Sequence, residues 1–197
     1  MRTPLRCGKH FLSNMRQRRL KPKPSSDESN VSRLTPEELR ARTFQRAGKL
    51  LAAKARSVAE LRERLIERCS DRAVVEIVIA RLREYGYLDD ERYAVSYASS
   101  KVRQSPLGRR RLEQSLAMKK VERSVAEEAL DQVYAETPEE ELIDRAIEKR
   151  VRLRGRPKTR AEARSLFDYL LRQGFPFELV ADKVRAVSRT ELDDDTA

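Results

Sequence analysis

A pair of leucines four residues apart occurs three times in this chain, as Leu61 and Leu65, Leu112 and Leu116, and Leu166 and Leu170. That spacing places both side chains on one stripe of a helix, facing a core. Each pair is followed, in the next segment, by another aligned apolar position: Val78, Leu130 and Val184. The chemistry of helix starts repeats as well. Thr35-Pro36-Glu37-Glu38 returns as Thr137-Pro138-Glu139-Glu140, and Asp89-Asp90-Glu91 stands between them. Thr caps free amides, Pro is tolerated at the first helical position, and carboxylates suit the positive end of the helix dipole. One supersecondary unit repeated roughly every fifty residues implies three tandem units, each burying part of its apolar face on a neighbour.

The coarse layout of each unit is three helices. In the first they run near Pro36–Ala55, Ser57–Arg68 and Asp71–Tyr85, with Ser57 and Asp71 as caps. In the second they run near Asp90–Gln104, Leu107–Lys119 and Arg123–Tyr134, and in the third near Pro138–Leu153, Thr159–Gln173 and Pro176–Val187. Breaks fall at Gly86-Tyr87, Ser105-Pro106, Gly155-Arg156-Pro157 and Gly174-Phe175-Pro176, where Gly and Pro punctuate the pattern. Period-two alternation is nowhere sustained, so strands are not expected. The expected organisation is all-α: a basic tail over 1–34, three-helix repeats over 35–87, 88–136 and 137–190, and an acidic tail over 191–197. Hydrophobic residues make up only 39% of the chain and Trp is absent, which favours an elongated array of thin units over one thick core.

The net charge of +11 is unevenly placed. Residues 1–26 hold eight basic side chains and no acidic one, so most of the imbalance lies in a tail whose Pro, Ser, Lys and Arg read as disordered. Met15 offers an alternative start within it. Two further basic concentrations lie in the body, from Lys101 to Arg123 and from Arg145 to Arg164. Acidic residues crowd elsewhere, at Glu139 to Glu141 and Asp193 to Asp195. Segregated charge makes a local field that attracts phosphates or acidic protein surfaces.

Catalytic and cofactor chemistry has no foothold in this pattern. The sole histidine, His10, lies in the tail, and no Gly-rich phosphate loop or Cys/His cluster with metal-ligand spacing is present. Asp89-Asp90 is read as a helix cap, not as a metal site. No enzyme, metal or cofactor is therefore expected. Cys7 and Cys69 read as free thiols of a reducing, cytoplasmic setting, and neither a signal peptide nor a membrane-spanning run is seen. The second and third helices of each unit are compatible with a helix-turn-helix. Yet the third helices carry Glu76, Glu84, Glu127, Glu128 and Asp131, and few Arg, Asn or Gln able to read base edges.

Three segments resemble the RecX family, bacterial regulators of the RecA recombinase. They are Arg56-Ser57-Val58-Ala59-Glu60-Leu61, then Gly86-Tyr87-Leu88-Asp89-Asp90-Glu91-Arg92-Tyr93-Ala94, then Gly108-Arg109-Arg110-Arg111-Leu112-Glu113-Gln114. The likeness covers roughly residues 40–187, with Gly174-Phe175 matching a closing turn. Three departures stand out: Arg109 where the family often has Pro, Ser115 for a usual Glu, and Lys120 for a Gly. The resemblance implies a curved array of three-helix units binding along the groove of the RecA–single-stranded-DNA filament, and the chain is expected to be a monomer. It implies inhibition of ATPase, strand exchange and co-protease activity, and hence regulation of recombination and the SOS response, with at most weak direct binding to DNA. Expected contact residues are Arg103, Arg109, Arg110, Arg111, Lys119 and Lys120 in the second unit. In the third they are Lys149, Arg150, Arg152, Arg154, Arg156, Lys158 and Arg160. Ser57, Leu61, Leu65, Gly86, Tyr87, Leu88, Asp89, Asp90, Arg92, Tyr93, Gly108, Leu112, Leu116, Gly174 and Phe175 are expected to shape the fold, with stacking of Tyr87 and Tyr93 on a base as the minority reading. The alternative function is a helical DNA-binding protein of repressor or nucleoid type.

Overall fold

The computed structural model describes residues 34–189, so the basic tail with His10 and Cys7 and the acidic run at 191–197 lie outside the described residues. Nine helices and no strand occur among them: α1 Pro36–Ala53, α2 Val58–Ile66, α3 Arg72–Glu84, α4 Asp90–Gln104, α5 Arg109–Met118, α6 Arg123–Glu136, α7 Glu139–Arg154, α8 Arg160–Gln173 and α9 Phe177–Arg189. Every extensive helix pairing falls within α1–α3, α4–α6 or α7–α9. The three leucine pairs are buried, as are Val78, Leu130 and Val184. The apolar cores, however, divide differently from the helix groups. Helices α1–α3 enclose their own cluster, closed by Leu88, whereas α4–α9 share one continuous core from Ala94 through Leu130 and Ile143 to Val184.

Helix ends follow local chemistry. Ser57 accepts from the Glu60 amide, Asp71 from those of Ala73 and Val74, and Asp89 from that of Arg92. Thr159 and Glu162 form a reciprocal capping box on α8. Helices α3, α5 and α8 end in the same turn, with a left-handed residue at Gly86, Lys120 and Gly174. The next amide then reaches back, Tyr87 to Leu82 O, Val121 to Leu116 O and Phe175 to Leu170 O. Lys120, at φ 57°, occupies by a β-carbon-bearing residue a conformation that favours glycine.

One expected cap is corrected. Thr137 does not start α7: its amide completes α6 by donating to Val133 O, and Pro138 stands at the N-cap position with no side-chain bond. Only two residues link α6 to α7, so the chain position that would cap the second helix is already used to close the first.

The two carboxylates that begin α4 and α7 instead reach across to an earlier helix. Asp90 Oδ1 accepts from the Val58 amide at 2.8 Å, and Glu139 Oε1 accepts from the Arg109 amide at 2.6 Å. In both cases the first residue of one three-helix group satisfies the first amide of the preceding group's second helix, an orphan donor by helix geometry. Glu139 explains how Arg109 is tolerated at a helix start where proline, lacking an N–H, would need no acceptor. A second join lies at Gly108, whose amide donates to Gln173 O at 3.0 Å. A β-carbon there would sit 2.3 Å from Gly174 C and 2.4 Å from the Phe175 nitrogen.

Two outcomes follow from these joins. Gly108→Ala should lose at least about 2 kcal/mol in urea unfolding, since backbone must move, whereas Gly48→Ala, with open space around it, should gain about 0.5–1 kcal/mol from helix propensity. Glu139 has a raised pKa because burial disfavours its charge, with the Arg109 amide opposing. A raised folded pKa contributes stability that is fully present below the ordinary glutamate pKa and is lost as pH rises through the folded value. Glu139→Gln should therefore remove that decline and match or exceed the parent at neutral pH, while Glu139→Ala should cost about 1–3 kcal/mol by orphaning the amide. Thermal melts from the acid range up to neutral pH measure both.

Candidate functional site

Three of the expected contact residues pair with carboxylates of the fold itself. Arg109 bonds Asp131 at 2.6 Å and Glu113 at 3.3 Å. Burial alone would lower its pKa, but those hydrogen bonds and charges outweigh it and hold the guanidinium above its ordinary value. Lys119 Nζ meets Glu60 at 3.0 Å, and its carbonyl accepts from the Ser57 hydroxyl. Lys120 pairs with Glu63. These two lysines thus tie the α5–α6 turn to α2, a use of charge that was invisible in sequence because their partners lie more than fifty residues away.

The other expected residues present their charge outward. Arg103 ends α4, and Arg110 and Arg111 open α5, all three exposed. Arg111 reaches the Arg172 carbonyl at 3.4 Å. Lys149, Arg152, Arg154, Arg156, Lys158 and Arg160 are exposed along the end of α7, the following loop and the start of α8. None of these side chains forms an ion pair with a carboxylate among the described residues. Such unmatched cations repel one another, and a polyanion would relieve that repulsion.

The structure gathers part of this set into a concave site. Arg150, Arg154, Arg156 and Ser165 line a pocket of about 400 Å³ whose floor includes Val151, Pro157 and Leu166. Arg150 is held in place by stacking on Tyr169, 4.9 Å from its ring centroid, and by a 3.4 Å bond to the Ser165 hydroxyl. Glu162 also lines the pocket, but its carboxylate accepts from the Lys158 and Thr159 amides, which hold its pKa below the ordinary range. Three guanidinium groups with a bound hydroxyl suit phosphate oxygens. Gly155, at φ 80°, supplies the turn that brings Arg156 back over α7.

The residues expected to shape the fold divide by burial. Leu88, Leu112, Leu116 and Phe175 are core, and Asp89 and Asp90 are both engaged as caps. Tyr87 differs: its backbone closes the α3 turn, but its ring is 68% exposed. Tyr93, for which base stacking is the minority reading, lines the same cleft as Lys54, Arg56 and Arg92. Arg92 adjoins Tyr93 in the chain, but Lys54 and Arg56 join them only in the fold, where the end of α1 meets α4. Among the described residues no cluster could hold a metal ion, and no helix is long and apolar enough to cross a membrane.

Residues 44–82 match the family profile described as "RecX, first three-helix domain", and residues 89–130 match "RecX, second three-helix domain". The regulatory protein RecX of Halorhodospira halophila is 32% identical over 148 residues, covering 75% of this chain and 86% of that protein. The regulatory protein RecX of Treponema pallidum is 37% identical over 109 residues, 55% of this chain; that match spans 66% of the Treponema protein, just under two thirds. Among solved structures, RecX from Lactobacillus salivarius superposes with a TM-score of 0.69 at 19% identity, covering 78% of this chain and 99% of that one. At that identity the likeness concerns the fold.

Lys120 allows a direct check of what its charge contributes. Lys120→Gly relieves a left-handed residue worth about 1 kcal/mol and removes an exposed ion pair worth under about 1 kcal/mol. Urea unfolding should show the variant as stable as the parent or slightly more so. A clear loss would mean that the bond to Glu63 outweighs the backbone relief.

Proposed function

The chain belongs to the RecX family, and from that premise we propose that it is a non-catalytic regulator of the RecA–single-stranded-DNA filament. Through three repeats, 35–87, 88–136 and 137–190, it lies along the filament and inhibits ATPase, strand exchange and co-protease activity by occupying the groove. The observation that carries this reading is the run of cations from Lys149 to Arg160, all but Arg150 exposed and none ion-paired with a carboxylate among the described residues, with its arginine-lined pocket. A nucleoprotein groove presents phosphates and acidic side chains together, and arginine binds both in fork geometry. Arg103, Arg110 and Arg111 extend the contact; Arg109, Lys119 and Lys120 brace it through their ion pairs. Duplex readout by a recognition helix finds less support, because Glu76 of α3 and Asp131 of α6 are tied up by Arg62 and Arg109, and α6 carries Glu127, Glu128 and Glu136 against a single Arg where base contacts would be made.

RecA ATPase on single-stranded DNA provides the test. Purified protein should slow hydrolysis at or below stoichiometric levels. Arg154→Glu with Arg156→Glu should weaken inhibition about tenfold or more, as expected for charge reversal at two phosphate or carboxylate contacts, with helicity unchanged by circular dichroism. Absence of both inhibition and filament binding by the parent protein would sink the proposal. Undiminished inhibition by the double variant would remove the third repeat as the docking surface.

A further inference from the structure

Away from the arginine pocket, a second cleft of about 570 Å³ opens between the end of α1 and the outer face of α4. Its walls carry Tyr87, Tyr93 and Tyr97 together with Lys54, Arg56 and Arg92. The volume lies within the range of sites that hold a ligand of nucleotide size. Tyr93 and Tyr97 are already stacked, with centroids 5.9 Å apart and rings inclined by 26°, and the Lys101 ammonium sits 5.6 Å from the Tyr97 centroid. On the other side, Tyr87 meets Tyr85 edge-on at 6.2 Å, and Tyr85 meets Phe44 in the same way at 6.4 Å. Arg81 lies against the Phe44 and Tyr85 rings. Ring–cation contacts thus occur within the cleft and beside it, and Tyr85 and Tyr87 remain 50% and 68% exposed.

The polar groups point to an anion. Arg56 Nε is buried and finds no hydrogen-bond partner among the described residues, a costly arrangement that an incoming acceptor would relieve. Asp89, the acid in the cleft wall, is turned to the Arg92 amide. Glu60 and Asp90, whose charges act on Tyr93, are bound by Lys119 and by the Val58 amide, although one Glu60 oxygen stays buried without a partner. Burial, reinforced by those charges, pushes the Tyr93 phenol up to about 12, so at neutral pH it remains a hydrogen-bond donor.

We propose that this cleft is a stacking site for single-stranded nucleic acid, taking bases on the rings of Tyr87, Tyr93 and Tyr97 and phosphates on Arg56 and Arg92. Exposed π-faces interleaved with cations bind unpaired bases with little sequence preference, because every base offers a face. A duplex withholds those faces, and a mainly apolar peptide would leave the cations unanswered. The site needs no recombinase, so it goes beyond the filament reading and can be tested apart from it.

The chain contains no Trp, so its intrinsic ultraviolet emission comes from tyrosine and reports stacking directly. Full-length protein titrated at low salt with fluorescein-labelled oligothymidylate should show an anisotropy rise, and unlabelled strand should quench tyrosine emission. Tyr87→Ala should weaken binding about tenfold or more, while Tyr87→Phe, which keeps the ring, should bind like the parent. Arg92→Gln should weaken binding and lower the salt slope by about 0.7, the loss of one phosphate contact. Both residues are exposed, so these variants should keep the parent circular dichroism. The proposal is overturned if the parent neither binds nor is quenched by the strand, or if both variants bind it as the parent does. It is equally overturned if they lose RecA binding in the absence of DNA while strand affinity is intact, which would make the cleft a protein-docking face. Loss of strand affinity with RecA ATPase inhibition retained would support the cleft and leave the filament reading standing.

Discussion

The first amides of α2 and α5 are the groups on which the joining of this repeat protein depends. A helix N-terminus leaves donors without intrahelical partners, and α2 and α5 each bring one such donor, Val58 or Arg109, to a place where the next three-helix group begins. Asp90 and Glu139 answer them. The contact sets where α4 and α7 start and how each enters its turn, so it fixes the step from one group to the next. A carboxylate at the start of a helix would ordinarily be read as serving its own dipole. Here the same carboxylate also completes its predecessor, which is how a local motif becomes a tertiary one.

The two joins differ beyond that shared contact. Between the first and second groups the bridging interactions are polar: Ser57 to the Lys119 carbonyl, Lys119 to Glu60 and Lys120 to Glu63. Between the second and third, a continuous core runs across, and Gly108 lies directly against Gly174 and Phe175. Apolar burial is lost outright when such a join opens, whereas polar contacts can be exchanged for water at small net cost. The first join therefore rests on polar contacts, and the second adds a shared apolar core. The tyrosine cleft lies at that polar join, between α1 and α4.

Charge has two uses in this molecule, and they separate by partner. Arg109, Lys119 and Lys120 face carboxylates supplied by their own fold, so their fields are cancelled locally. The cations from Lys149 to Arg160 form no ion pair with a carboxylate among the described residues, Glu162 being turned to the Lys158 and Thr159 amides, and most of their field projects outward. A run of basic residues in sequence looks the same in both cases. The difference lies in what the rest of the chain brings within about 4 Å, the distance at which an ion pair forms.

The sequence by itself determined the helices and their repetition. Leucine spacing, caps at Ser57, Asp71 and Asp89, and the glycines at 86 and 174 act within a few residues of themselves, so their consequences can be read locally. It misjudged Thr137, because a two-residue link gave that position to the end of α6. Only the tertiary structure decided which carboxylate answers which amide, which lysines are neutralised, and that Tyr87 and Tyr93 share a cleft with Arg56 and Arg92. The physical reason is range. Capping and periodicity are contacts between near neighbours in the chain, while ion pairs, close glycine approaches and clefts depend on where helices cross, which is set by the summed fit of whole apolar faces.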